Sequence, residues 1–228
     1  MGSSTRSPAG GPVIGRPPKI TRADIAAAVL RIGFADVTIP LVAERLGVTP
    51  PTIYRHVPDR ATMLSEAWDA VVEDIAWPPL DGHWRDDLLA YAQTLWDALA
   101  RFPGVVSALS TGLMPARTMD ILLRLAVHLH RQGFAMGDAM LVIDTVIDTV
   151  IDHRLGIERL DGHTLEPSTS REQMASSWRA GADDPPEVRL AYDAMRDAVE
   201  APPSDWIARK LTLILDGAAL RQGPAGPS

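Results

Sequence analysis

Residues 38–60, TIPLVAERLGVTPPTIYRHVPDR, constrain the fold more than any other stretch of the chain. Ile39, Val42, Ala43 and Leu46 fall at i, i+3, i+4 and i+7, the apolar face of one helix. Thr38 stands before that face as an N-cap, and Pro40 occupies the first turn, where a missing N–H costs little. Gly47 then supplies a tight turn, and Thr49 with Pro50 restarts a helix as cap and first residue. Only Ile53 and Val57 of this second segment face a core, which leaves Thr52, Tyr54, Arg55 and His56 pointing outward. A helix, a glycine turn and a second helix with outward hydrogen-bonding side chains is what reading a DNA major groove requires. A bundle helix with a polar side is the plainer reading, but it does not account for Gly47 and the Thr-Pro-Pro-Thr restart together.

The preceding segment completes the unit. Thr21 and Asp24 have the spacing of a capping box, Ile25, Ala28, Val29 and Ile32 repeat the helical face, and Gly33 ends it. Residues 19–60 are thus expected to form a three-helix DNA-binding head.

The run VAERLGVTPPTIYRHVPDRATML resembles the TetR family of bacterial regulators, and PTIYRHV, with Val57 at its end, resembles the tetracycline-repressor branch. The resemblance continues in helix order through most of the chain. It implies groove contacts from Pro51, Thr52, Tyr54, Arg55 and His56, phosphate contacts from Thr38, Tyr54 and Arg60, and places Thr49 and Pro50 in the same surface. Chemically, Arg55 suits a bidentate contact to guanine, and Pro51 or the Thr52 methyl suits a thymine methyl. Pro50 and Arg55 depart from the branch, which has an amide side chain and a Trp there, so a different operator is expected.

Charge is divided unevenly. Residues 1–60 carry 8 Arg/Lys against 4 Asp/Glu (+4), whereas residues 61–228 carry 14 against 25 (−11), consistent with −7 overall. A cationic head on an acidic body suits phosphate contacts that weaken steeply with salt. Residues 1–18, rich in Ser, Pro and Gly, read as a disordered arm. At its end, Arg16 and Lys19 within GRPPK suit either a minor-groove contact or a solvated tail.

After the head, residues 60–76 read as a connecting helix, and residues 61–222 as a helical ligand-binding and dimerisation domain. Further helices are expected near 84–101, 104–112, 116–132, 137–158, 186–200 and 203–221, with a flexible loop over 159–185. No useful β-alternation occurs, so the fold class is all-α, a helix-turn-helix head followed by a bundle. The absence of Cys removes disulfides and thiol chemistry, and no membrane-length apolar run or secretory signal is present, so a cytoplasmic setting follows. No GxSxG, HExxH, P-loop or GxGxxG pattern occurs, so a non-enzymatic role without a cofactor is expected.

Two helices carry broad apolar stripes suited to a homodimer interface: Ile143, Val146, Ile147, Val150 and Ile151 in one, Ile207, Leu211, Ile214 and Leu215 in the other. The resemblance implies that these form an intersubunit four-helix bundle. Trp77, Trp96, Phe102, Met114 and His128 are candidates to line an apolar pocket. The segment Ala108-Leu109-Ser110-Thr111 keeps a Thr of the branch's drug site, Thr111, but lacks its metal-linked His, and Gly156 stands where that site has a Glu. Tetracycline–magnesium is therefore not the expected ligand. Asp144, Asp148 and Asp152 recur at i, i+4 and i+8, and one reading is a solvated edge. The other places Asp144 or Asp148 at the pocket or the dimer interface, facing His128 or His130, and then favours a cationic effector, or a metal if His joins the carboxylates. No metal site is expected, because His128 and His130 do not share a helix face. The whole reads as a DNA-binding regulator, a repressor released from a palindromic operator by a small molecule. A TetR-type activator and a helical ligand-binding or scaffold protein whose head contacts protein are the alternatives.

Overall fold

The structure, a computed structural model, describes residues 20–109, 115–161 and 170–223. Arg16, Lys19, Thr111 and Met114, together with the arm, lie outside the described residues. No strand occurs among those described, and the fold is all-α.

The head comprises α1 (Arg22–Ile32), α2 (Ile39–Arg45) and α3 (Pro50–Tyr54), followed by α4 (Arg60–Asp74). Each start follows from a local capping interaction. Thr21 and Asp24 form the expected reciprocal box, Thr38 accepts from the Leu41 N–H, and Asp59 accepts from the Thr62 N–H at 2.7 Å. Hydrogen bonds from those N–H and hydroxyl groups hold the Asp24 and Asp59 carboxyls below the usual carboxylate range. Thr49 departs from expectation: its hydroxyl meets that of Thr52 at 3.1 Å and caps no N–H. Gly47, at φ 67°, makes the turn between α2 and α3. Ile25, Val29, Phe34, Val37, Val42, Ile53, Val57 and Met63 are at most 1% exposed and make one small core. Burying each such side chain stabilises by about 1.5–3 kcal/mol, enough to hold three short helices that would not persist alone.

The body contains α5 (Trp84–Arg101), α6 (Val105–Leu109), α7 (Ala116–Arg131), α8 (Met136–Leu160), α9 (Arg171–Ser177), α10 (Pro186–Glu200) and α11 (Pro203–Ala219). Helix α8 is central, packing on α5, α6, α7 and α11. Helix α9 lies inside the stretch expected to be a loop. Its signal is a Ser170–Gln173 capping box, easily passed over because only Ala175 of its seven residues is buried. Helix α10 packs on α9 and buries no residue.

The stripes expected to meet a partner subunit are largely used within the protomer. Ile143, Val146 and Val150 of α8 and Ile207, Leu211 and Leu215 of α11 are buried, while Ile147, Ile151 and Ile214 pack partly against the same core. For α8 the reason is geometric, since a helix with four neighbours needs a wide apolar face before any partner arrives; α11 spends its stripe chiefly on α8. The large apolar side chains left outside on these elements are Met136 (43% exposed), Leu141 (50%) and Leu213 (74%), with Leu220 (89%) just past the end of α11.

Candidate DNA-binding surface and ligand cavity

Helix α3 stands on Ile53 and Val57, both fully buried, and this anchoring aims its other residues outward. Tyr54 is 53% exposed, Pro51 and Arg55 are exposed, and Thr49 and Thr38 lie at the same surface level. Pro50, Thr52 and His56 are half-buried, so they border the presented face. Among the described residues, neither the Tyr54 phenol nor the Arg55 guanidinium has a hydrogen-bond or ion-pair partner. Their polar groups are available to an external ligand. Arg60 is exposed and also works within the head: its Nε donates to the Val37 carbonyl at 2.9 Å and its Nη2 to the Phe34 carbonyl at 3.4 Å. It braces the α1–α2 turn against α4, and a phosphate contact would have to share that guanidinium.

The described head is nearly neutral. Residues 20–60 hold five Arg against four Asp/Glu, a net +1, and Arg22 is paired with Glu66 at 2.6 Å. Arg6, Arg16 and Lys19 supply the remaining three positive charges of the +4 head.

Beneath the head, α4, α5, α7 and α8 enclose a cavity of about 180 Å³. Trp68 and Val72 contribute from α4, and Leu88, Tyr91, Leu95 and Leu99 from α5. Thr118, Ile121 and Leu125 come from α7, and Met140, Ile143, Ile147 and Ile151 from α8. Trp77, Asp144 and Asp148, expected at a pocket, do line it; Asp152 does not. Trp77 is fixed by an Nε1–H bond to the Val72 carbonyl at 3.1 Å and stacks on Tyr91 at 5.2 Å. Burial raises the Tyr91 phenol above its ordinary pKa, so the phenol stays neutral at physiological pH.

Three expected pocket residues lie elsewhere. Trp96 points to the other side of α5, where it stacks on His153 at 5.6 Å beneath the Arg154 guanidinium. Phe102 packs edge-on against Phe34 of the head. His128 is held by Asp87 at 2.9 Å and by Gln132, away from Asp144 and Asp148. Helical period alone cannot tell which side of α5 or α7 faces a void. Thr118 and Tyr91 were missed for the same reason: a lone hydroxyl near a helix start and a Tyr in an apolar stripe both read as ordinary. The Thr118 Oγ1 is buried and has no hydrogen-bond partner.

The cavity is tied to the head through α4. The Asp69 carboxylate of α4 accepts from the Arg117 N–H at 2.9 Å and the Ala116 N–H at 3.2 Å, capping α7 from outside. Arg117 also pairs with Glu73 at 3.1 Å. A second tie joins the α1–α2 turn to the α5–α6 turn. There Gly104 lies against Ala35, and its N–H donates to the Glu158 carboxylate of α8 at 3.1 Å.

A three-helix head with an outward α3, on a hollow bundle whose first helix is shared with the head, defines a helix-turn-helix DNA-binding transcriptional regulator. Residues 24–67 match the family model for bacterial regulatory proteins of the tetR family. The chain is 27% identical over 201 residues to the tetracycline repressor protein class A from transposon 1721 of Escherichia coli, covering 84% of this chain and 85% of that protein. It is similar in fold to ActR from Streptomyces coelicolor in complex with (S)-DNPA, with a TM-score of 0.75, 16% identity and coverage of 90% and 100% of the two chains. It is likewise similar to BioQ with its double-stranded DNA operator, with a TM-score of 0.61, 20% identity and coverage of 89% and 99%; BioQ of Mycobacterium smegmatis is a further match. Residues 24–67 thus carry the DNA-binding region of the tetR family of bacterial regulatory proteins, and the chain resembles the tetracycline repressor over most of its length. Among the described residues no helix is long and apolar enough to cross a membrane, and no cluster of side chains could hold a metal ion.

Proposed function

We propose that the chain is a homodimeric one-component repressor, released from a palindromic operator when a small molecule occupies the α4/α5/α7/α8 cavity. The observation that carries this reading is the double role of α4, which lines the cavity with Trp68 and Val72 and holds the N-terminus of α7 with Asp69. A ligand that presses on Thr118 or Trp68 displaces α7 and α4 together, and α4 packs along α1 of the head. A shift of the two heads relative to each other then lowers affinity for paired half-sites. The relatives support each partner class, since ActR is described with a small molecule and BioQ with operator DNA. The proposed two-fold contact uses the outer faces of α8 and α11, with Leu141 and Leu213, over the buried stripes that were first expected there.

Operator reading is assigned to Pro51, Thr52, Tyr54, Arg55 and His56, with Thr38, Thr49 and Pro50 at the edges and Arg16 and Lys19 from the arm. Arg55→Ala is expected to cost roughly 1–3 kcal/mol and to relax base preference at one position per half-site. Gel shifts on operator variants across a salt series check this. Uniform weakening on all sequences would make Arg55 a phosphate contact.

The coupling has its own test. Asp69→Ala removes the external cap of α7 while leaving the cavity walls in place. Effector binding should persist, and effector-driven release from DNA should fall by about 5–150-fold, the usual range of allosteric coupling. Asp69→Asn, which keeps an acceptor oxygen, should restore part of the response. Unchanged release in the Ala variant would remove α4–α7 capping from the mechanism.

A further inference from the structure

The walls and rim of the cavity narrow the chemistry of what it takes. Its lining contains two formally charged residues, Asp144 and Asp148, and both are acidic. They lie one helical turn apart on α8, exposed at the rim, and among the described residues neither has an ion-pair partner. Like charges at this spacing repel, so a cation between them relieves that repulsion. The interior is otherwise apolar, with the stacked faces of Trp77 and Tyr91 on one side and the unpartnered Thr118 hydroxyl within. A volume of about 180 Å³ is close to the roughly 150 Å³ cavity known to hold a benzene-sized ring.

We infer that the cavity binds a small organic monocation, an ammonium group on a single ring or a short branched apolar body. The body fills the space beside Leu88, Ile121 and Ile143, and the cationic head lies between Asp144 and Asp148. The Thr118 hydroxyl gains a hydrogen-bond partner if the body carries a polar atom. An anionic ligand of the same size meets two carboxylates with no basic residue in the lining to offset them. This inference rests on reading the cavity as the effector site.

The test uses the full chain and three probes of one size: benzyltrimethylammonium, benzyl alcohol and phenylacetate. Titration is followed by calorimetry and by the fluorescence of Trp68 and Trp77, which line the cavity. The cation is expected to bind saturably and at least tenfold more tightly than either other probe. The double variant Asp144→Asn, Asp148→Asn should erase that preference while its circular dichroism stays unchanged. Both side chains are exposed at the rim, and among the described residues neither takes part in a hydrogen bond or ion pair that holds α8. Phenylacetate binding as tightly as the cation, an unchanged preference in the double variant, or no saturable binding of any probe would each overturn the inference. A parallel gel shift on the chain's own upstream DNA separates the two claims. Cation binding without release of DNA sustains the ligand class and removes the release mechanism; release by neutral or anionic compounds alone does the reverse.

Discussion

Gly104→Ala is expected to destabilise the protein by about 2–5 kcal/mol and to weaken operator binding in the fraction that folds. Two effects add at this position. Gly104 sits at φ 83°, a left-handed conformation that an L side chain adopts at a cost. An added Cβ would also lie 2.7 Å from the backbone nitrogen of Ala35 and 2.8 Å from its Cα. Neither the turn nor the head can yield easily, because the Gly104 N–H is held by the buried Glu158 and Phe102 is wedged against Phe34. The expected relief is a displacement of the whole head from the bundle. Gly47→Ala is the internal comparison: its φ is also positive, at 67°, but nothing lies within 4 Å of the added Cβ. It should cost only about 1–2 kcal/mol. Urea denaturation of both variants, followed by circular dichroism, checks the ranking; equal losses would mean that the Ala35 contact carries no strain.

Trp84→Ala should cost still more in the body, about 3–5 kcal/mol. Trp84 is 1% exposed, packs edge-on against Phe134 at 4.9 Å, and donates its Nε1–H to Gln222 at 3.1 Å. Its backbone N–H donates to Gln132, whose carbonyl accepts from Gln222 in turn. One residue thus joins the start of α5, the turn after α7 and the chain beyond α11. Truncation leaves a cavity and unpairs the Gln222 amide oxygen together, two independent penalties. Trp84→Phe should keep most of the packing and lose about 1–3 kcal/mol through the unpaired Gln222 alone. A Phe variant as unstable as the Ala variant would place the whole effect in the hydrogen bond.

The head was legible because its determinants are local. Capping at Thr21, Thr38 and Asp59, the turn at Gly47 and the buried pair Ile53 and Val57 all act within a few residues of one another. The body was legible only as a set of helices. Periodicity identified apolar stripes on α8 and α11 but not their neighbours. Of the residues assigned to a partner, Ile143, Val146, Val150, Ile207, Leu211 and Leu215 are buried within the protomer and Ile147, Ile151 and Ile214 are half-buried, while Leu141 and Leu213 are exposed. Trp96 and Trp77 look equivalent as bulky aromatic residues in the sequence. One stacks on His153 outside the cavity and the other on Tyr91 within its wall. Net charge misled in a smaller way: most of the head's surplus lies in Arg6, Arg16 and Lys19, ahead of the three-helix core.

What the sequence determined by itself, then, is the all-α class, the helix-turn-helix and its outward α3, because short-range periodicity and capping chemistry specify them without reference to distant residues. The tertiary structure alone decided where the cavity lies, that Thr118 and Tyr91 belong to it, that the capping Asp69 ties α7 to the head, and that the acidic pair Asp144 and Asp148 lies on its rim. Those properties come from which faces of four separate helices are brought together, and a helical period describes a face without naming what it meets.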